Sequence, residues 1–110
     1  MLSLPSNVKV YVAPGTTDMR KSYDALSGVV SSILEADPLS GHVFAFCGRR
    51  RDRVKLLCWD GTGLWLFSKR LARGTFAWPE PPTDGARSVE LRGDELAAIL
   101  AGIDLERTAW

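Results

Sequence analysis

The stretch that decides the fold covers residues 48–74 and reads GRRRDRVKLLCWDGTGLWLFSKRLARG. Two runs within it, residues 54–59 and residues 64–67, are rich in apolar and aromatic residues, a composition typical of β-strands. Asp60 and Gly61 lie between the two runs, and an Asp-Gly pair readily adopts the positive φ angles of a tight hairpin turn. The stretch is therefore predicted to form a β-hairpin.

Basic residues crowd both open ends of this hairpin, and the reversal of the chain would bring them into one patch. Arginine binds phosphate through planar, bidentate donors, and several basic residues together give strongly salt-dependent binding. The predicted nucleic-acid-binding residues are Arg49, Arg50, Arg51, Arg53, Lys55, Lys69, Arg70 and Arg73. Such a patch could equally bind the acidic surface of a protein partner, or serve as solvated charge that keeps strand edges from aggregating.

The net charge of +1 conceals an uneven distribution of charge along the chain. Residues 1–40 carry a net charge of −1, residues 41–79 carry +6, and residues 80–110 carry −4. A positive middle followed by an acidic tail indicates one surface that faces a polyanion and another that avoids it. With 110 residues, 45% of them hydrophobic, the chain is predicted to fold as a single domain spanning residues 1–110.

The two cysteines, Cys47 and Cys58, have no CxxC spacing, and a single histidine, His42, cannot complete a zinc quartet. Both cysteines lie in apolar runs, so buried free thiols are expected, although a cross-strand pair stays open. The N-terminus lacks the basic start and apolar core of a signal peptide, and no apolar run approaches the ~20 residues that span a bilayer. We expect a soluble, cytoplasmic protein without a metal or cofactor.

The rest of the chain supplies further strands and two helices. Residues 8–12 (VKVYV), residues 42–47 (HVFAFC) and, at an edge, residues 88–91 are predicted to be strands, and residues 75–78 a short further strand. A helix through about residue 36 would be capped by Thr17 or Asp18, and its apolar stripe is Met19, Tyr23, Leu26, Val30, Ile33 and Leu34. A last helix over residues 95–101 would turn Leu96, Ile99, Leu100 and Ile103 to one side.

These elements predict the α+β class: an antiparallel β-meander with a helix after the first strand and a C-terminal helix, both helices on one face of the sheet. Apolar residues alternate along the meander strands, and most of them should be core residues. Any aromatic surplus on the open face would form a platform for stacking. The residues that alternate in this way are Phe44, Phe46, Leu57, Trp59, Trp65 and Phe67.

No convincing catalytic constellation is found in the sequence. Metal-dependent nucleic-acid enzymes use converging carboxylates, and the candidates are Asp18, Asp24, Asp52 and Asp60. Asp18 is more simply a helix cap, Asp60 a turn residue and Asp52 a loop residue among arginines. His42 lacks an evident nucleophile or orienting partner, so a structural hydrogen bond is the better interpretation. The chain is therefore predicted not to be an enzyme.

Several short segments together resemble a known family, the small accessory proteins called TnpB in insertion sequences of the IS66 type. The matching residues are Thr17-Asp18-Met19-Arg20-Lys21, Ser40-Gly41-His42 with Phe44 and Phe46, Arg49-Arg50-Arg51-Asp52-Arg53 with Lys55, Trp59-Asp60-Gly61, Lys69-Arg70-Leu71, Arg73-Gly74, Phe76, Trp78-Pro79 and Gly102-Ile103-Asp104. The likeness covers nearly the whole chain. It does not extend to the longer, unrelated RNA-guided nucleases of the same name.

The resemblance implies a part in the transposition of a bacterial mobile element and no catalytic residues. Element DNA and the transposase of the same element are the expected partners. Independently of the resemblance, an exposed sheet edge would allow a homodimer. Two functions stay open at this point. One is nucleic-acid binding through the basic hairpin patch, and the other is a protein-interaction adaptor for the transposase without direct nucleic-acid binding.

Overall fold

The computed structural model describes residue 5 and residues 7–80 and 85–102, which form one sheet of five strands with two helices. In chain order the elements are β1 (Val10–Val12), α1 (Tyr23–Ser32), β2 (Val43–Cys47), β3 (Arg53–Trp59), β4 (Leu64–Arg70), β5 (Val89–Leu91) and α2 (Gly93–Leu100). The strand order across the sheet is β4-β3-β2-β1-β5. Neither described helix is long and apolar enough to cross a membrane.

The α+β class is confirmed, with a sheet that is mostly antiparallel. β2, β3 and β4 form the predicted antiparallel meander, and β5 pairs antiparallel with β1. β1 and β2, in contrast, run parallel, with Val10 opposite Val43. Parallel neighbours need a crossover connection, and α1 provides it between these two strands.

The two helices cover opposite faces of the sheet, so the expectation that both lie on one face is wrong. Along β2, Val43, Ala45 and Cys47 belong to the core cluster that contains Leu96 and Ile99 of α2. Phe44 and Phe46 belong to the cluster that contains Leu26 and Val30 of α1. All five residues of β2 are buried. A strand that is apolar on both faces needs cover on both, and this explains the two-sided arrangement.

Helix α1 is shorter than the predicted helix, because the residues before it are held by other partners. Its N-cap is Ser22, and neither Thr17 nor Asp18 caps it. The Thr17 amide donates to the Cys47 carbonyl at 2.9 Å, which extends the chain alongside the end of β2. Asp18 accepts hydrogen bonds from Arg20, a local pairing that competes with helix. Met19 therefore lies ahead of the helix.

Residues 75–78 are not a strand, although Phe76 and Trp78 are buried as strand residues would be. Both pack into the cluster on the α2 face of the sheet. The Phe76 amide donates to the Arg51 carbonyl, and the Trp78 indole N–H donates to the Ala13 carbonyl at 3.3 Å. The alternation in this segment therefore reflects packing across the sheet face rather than pairing at its edge.

The end of the described chain largely agrees with expectation. β5 lies at the edge of the sheet as predicted, and α2 begins at Gly93 with Arg92 as its N-cap. The Arg92 amide donates to the Glu95 carboxylate at 3.0 Å, which completes a capping box. Ile103, predicted for the apolar side of this helix, lies outside the described residues.

The two thiols are free in the structure and are not cross-strand neighbours. Cys47 lies opposite Val54, and Cys58 lies opposite Trp65. Burial raises the pKa of both thiols above the ordinary value. The cross-strand pair left open by the sequence is therefore not formed.

Candidate nucleic-acid interface

The β3–β4 hairpin forms and brings its two basic ends together. The register places Arg53 directly opposite Arg70 and Lys55 opposite Ser68. Arg53 and Arg70 are both exposed. Like charges directly opposite each other destabilise an antiparallel pair, so the contact between these two arginines lowers the stability of the hairpin.

The loop between β2 and β3 is folded back on itself beside the segment that precedes α1. The Gly48 amide donates to the Arg53 carbonyl, and the Arg51 amide donates to the Gly48 carbonyl, both at 3.0 Å. A Cβ added at Gly48 would lie 2.7 Å from Cγ of Met19. A side chain at residue 48 would therefore displace the Met19 side chain, where residues 16–20 approach residues 48–53.

A groove of about 700 Å³ lies between these two segments and the end of β4. We call it the arginine cleft. Its lining holds five arginines and two aspartates, and both loops and two strands contribute to it. The lining residues are Thr16, Thr17, Asp18, Met19, Arg20, Gly48, Arg49, Arg50, Asp52, Arg53 and Arg70.

One of the cleft's two carboxylates is neutralised within the cleft itself. Asp18 accepts hydrogen bonds from the Arg20 guanidinium at 2.7 Å and from the Arg20 amide at 2.9 Å. These bonds hold the pKa of the Asp18 carboxyl well below its usual range. The Arg20 side chain is nevertheless 91% exposed, so its outer donors remain open to a ligand.

The remaining arginines of the cleft carry uncompensated charge. Across residues 7–80 and 85–102, no carboxylate forms an ion pair with Arg49, Arg50, Arg53 or Arg70. Arg49 and Arg50 are exposed on the loop. A surface with this excess of guanidinium groups attracts phosphate or carboxylate groups strongly at low salt.

Arg51 has a different role from its neighbours in sequence. Its side chain is only 24% exposed and lies within 3.8 Å of the Glu80 carboxylate. Its guanidinium also donates to the Gly15 carbonyl at 3.0 Å, and its backbone adopts a positive φ of 62°. Arg51 therefore fastens the loop to the segment before α1 instead of lining the cleft.

Three other predicted residues also lie away from the cleft. Nζ of Lys55 donates to the Lys21 carbonyl at 2.7 Å. Nζ of Lys69 donates to the Leu100 carbonyl at the end of α2, and Arg73 is exposed but does not line the groove. Of the eight predicted residues, the structure brings together Arg49, Arg50, Arg53 and Arg70 in the cleft.

The sequence did not predict the other wall of the cleft, which Thr16, Thr17 and Arg20 supply. This wall lies about thirty residues away along the chain, and only the parallel pairing of β1 with β2 brings it near the arginine-rich loop. The available signal was the segment from Thr17 to Lys21, which the family resemblance includes without a role.

The remaining carboxylate candidates are separated or engaged in the structure. Asp24 is exposed in the first turn of α1. Asp60 accepts from the Thr62 and Gly63 amides at 2.8 and 2.9 Å and from the Trp65 indole N–H at 2.7 Å. These bonds lower the pKa of Asp60 to about 2. Within the described ranges, no three His, Cys, Asp or Glu side chains group as metal ligands.

His42 makes the structural hydrogen bond expected of it. Its Nδ1 accepts from the Lys9 amide at 3.0 Å, immediately before β2 begins. The bond joins the entrances of the two parallel strands.

Together the fold and the cleft define a small α+β protein with a solvent-open groove rich in arginine. Residues 8–110 match the family of IS66 Orf2-like proteins, and the chain belongs to that family. The resemblance found in the sequence is thereby confirmed. The family places the protein among the accessory proteins for the transposition of IS66-type insertion sequences.

Two proteins of Sinorhizobium fredii (strain NBRC 101917 / NGR234) are similar to this chain over most of its length. The uncharacterized protein y4hO is 39% identical over 104 residues, which cover 94% of this chain and 88% of the relative. The uncharacterized protein y4jC is 35% identical over 107 residues, which cover 97% and 89%. No solved structure matches the chain.

Proposed function

We propose that this protein is a non-catalytic accessory factor that holds element DNA in the arginine cleft, close to the transposase. The observation that carries the proposal is the convergence of arginines from separate segments on one groove. Four of them lack a carboxylate partner among the described residues. The positive charge of these four arginines is therefore available to a ligand.

The energetics of the cleft favour a phosphate ligand. Arg53 faces Arg70 across the hairpin, and an anion between them would turn a repulsive contact into two attractive ones. Thr16 and Thr17 add hydroxyl donors to the same lining. Hydroxyls and arginines are common partners of DNA phosphates in protein–DNA complexes.

The geometry favours contacts to the backbone of DNA over contacts to its bases. The cleft is built from two loops and the ends of two strands, and no residue of α1 or α2 lines it. Reading of the major groove usually needs a helix or a two-stranded ribbon inserted into it. The proposed binding is therefore mainly independent of sequence and strongly dependent on salt.

The test is a comparison of two charge-reversed double variants for binding to labelled element-end DNA. Arg49→Glu/Arg50→Glu should weaken binding by about 100-fold or more at low salt, because both residues lie in the cleft. Lys9→Glu/Arg87→Glu changes the net charge equally at exposed residues outside the cleft, and should weaken binding only slightly. Equal losses in the two variants, or no loss in the first, would contradict the proposal.

The alternative function is an adaptor that binds the transposase without touching nucleic acid. The same observation allows it, since guanidinium groups bind protein carboxylates as well as phosphates. Capture of the transposase that survives nuclease treatment and is lost in Arg49→Glu/Arg50→Glu, together with absence of DNA binding at low salt, would favour this alternative.

The non-catalytic part of the proposal has its own test. Labelled DNA incubated with the protein and Mg²⁺ should remain intact. Cleavage that disappears in Asp18→Ala or Asp60→Ala would instead assign these carboxylates to a metal-dependent enzyme.

A further inference from the structure

The two edges of the sheet differ in a way that bears on assembly. β5 at one edge has three residues, whereas β4 at the other has seven. No strand among the described residues pairs with the outer side of β4. A long, unpaired edge is a template for pairing with another chain.

β4 also presents an exposed aromatic pair. Trp65 is 54% exposed and Phe67 is 46% exposed. Their rings stack with centroids 5.8 Å apart and planes 12° from parallel. The Trp65 indole N–H donates to the Asp60 carboxylate at 2.7 Å, so the ring is held in place. Rigid, exposed aromatic side chains are characteristic of the centres of protein interfaces.

We propose that two copies of this chain pair antiparallel along the outer edges of their β4 strands, forming one continuous sheet across a two-fold axis. The proposal is independent of nucleic-acid binding, because it rests on the edge strand rather than on the arginine cleft. The next observations argue that the partner is a second copy.

One register lets β4 pair with the same strand of a second copy over its whole length. In an antiparallel sheet, directly opposite residues point to the same face. A two-fold axis normal to the sheet therefore requires one residue of the strand to lie directly opposite the same residue of the other copy. Centring the axis on Phe67 pairs all seven residues from Leu64 to Arg70 with a residue of the other copy's strand. Every other centre leaves part of the strand unpaired.

This register also keeps the like charges of the two strands from lying directly opposite each other. Lys69 faces the partner's Trp65, a cation beside an aromatic ring, and Arg70 faces the partner's Leu64. The two Phe67 side chains meet at the axis. Centring the pair on Lys69 or Arg70 would instead oppose like charges directly, which is unfavourable. Repulsion therefore excludes these two centres, whereas the register that uses the whole strand opposes no like charges.

The dimer would place both arginine clefts on one face of the extended sheet. A two-fold axis normal to the sheet preserves the face on which each residue lies. Arg70 and the partner's Arg70 would be six residues apart along the strand direction, or roughly 20 Å. That distance corresponds to about six base pairs of duplex DNA, so one DNA molecule could contact both clefts.

The first test is sedimentation equilibrium of the full chain without nucleic acid. The wild type should show a monomer–dimer equilibrium that depends on concentration. Phe67→Lys places two lysines at the axis and should sediment as a monomer. The control variant Ile33→Lys should still dimerise. Ile33 is 58% exposed and lies near Ala13 and Pro14, which follow β1. A monomeric wild type at every concentration would overturn the proposal and leave this edge to another partner.

The second test fixes the register by cross-linking. Phe67→Cys brings two thiols opposite each other at the axis, within the range that a disulfide spans. Mild oxidation should therefore give a covalent dimer, well above the background of the wild type with Cys47 and Cys58. Ser68→Cys is exposed on the same strand, but its two copies would lie two positions out of line. Equal cross-linking of the two variants, or persistence of the dimer in Phe67→Lys, would overturn the β4 interface.

Discussion

The two ends of the β3–β4 hairpin are both charged, yet the charge is used differently at each end. At the turn, the Asp60 carboxylate accepts bonds from two backbone amides, one hydroxyl and one indole. At the open end, Arg53 and Arg70 face each other with no carboxylate partner in the described part of the chain. The charge at the turn is used by the fold, whereas the charge at the open end is available to a ligand.

The same contrast recurs between neighbours in the loop of residues 48–53. Arg51 is partly buried and bonded to the Gly15 carbonyl, whereas Arg49 and Arg50 are exposed in the cleft. Composition alone does not separate these roles, because all three are arginines in one run. The hydrogen bonds of the three side chains do separate the two roles.

The largest expected effect on stability is the loss of the Arg51 side chain. Arg51→Ala should lower the free energy of unfolding by about 2 kcal/mol, because a hydrogen bond from a charged donor is lost. Arg50→Ala should change it by less than about 0.5 kcal/mol, as is usual for exposed residues. Urea unfolding of the two variants measures both values.

Arg51→Gly sharpens this comparison, since glycine tolerates the positive φ at residue 51. It should be about 1 kcal/mol more stable than Arg51→Ala. Equal stability of Arg51→Ala and Arg50→Ala would contradict the structural role of Arg51.

A smaller effect is expected where the two walls of the cleft touch. Gly48→Ala should cost about 1–2 kcal/mol, because the new methyl group overlaps the Met19 side chain. Met19→Ala removes the obstacle, so the double variant should lose less than the sum of the two single variants. Additive losses in a double-mutant cycle would show that this contact does not set the spacing of the walls.

The turn end of the hairpin gives a prediction about pH. Asp60 has a pKa of about 2 in the folded protein, below its ordinary value of about 3.9. Its stabilising contribution is therefore complete above about pH 4 and is lost as the pH falls towards 2. Asp60→Asn should lower the melting temperature at pH 7 and flatten this part of the stability profile. An unchanged profile would show that the Asp60 bonds do not stabilise the turn.

The smallest expected effect has the opposite sign. Arg70→Gln removes a like-charge contact with Arg53, and should raise the free energy of unfolding by about 0.3 kcal/mol at low salt. The same substitution should weaken DNA binding. A gain in stability together with a loss of affinity would show that Arg70 serves binding and not the stability of the fold. A loss of stability would contradict this interpretation.

The hairpin and its basic ends were predictable because their signals are local. Apolar runs on either side of Asp60-Gly61 define two strands and a reversal, and the reversal brings Arg53 and Arg70 together. The turn itself is a four-residue loop from Asp60 to Gly63. The hydrogen bonds of the Asp60 side chain that hold it could not be predicted from the sequence.

The other wall of the cleft and the two-sided core depend on pairing between distant parts of the chain. β1 and β2 were recognisable as strands, but their parallel orientation depends on how α1 crosses the sheet. Arg20 enters the cleft only through that pairing. Asp18 looked like a helix cap because an aspartate before an apolar stripe usually is one, and its bond to Arg20 changes the start of the helix.

The most direct test of the arginine cleft is the salt dependence of DNA binding by the wild type and by Arg49→Gln/Arg50→Gln. A cleft that engages about four phosphates predicts a log–log slope of about −4 for duplex DNA, reduced by about two in the variant. Such a change in slope would show that each of the two arginines contacts a phosphate. Identical slopes for the two proteins, or binding that does not respond to salt, would contradict the cleft as the DNA site.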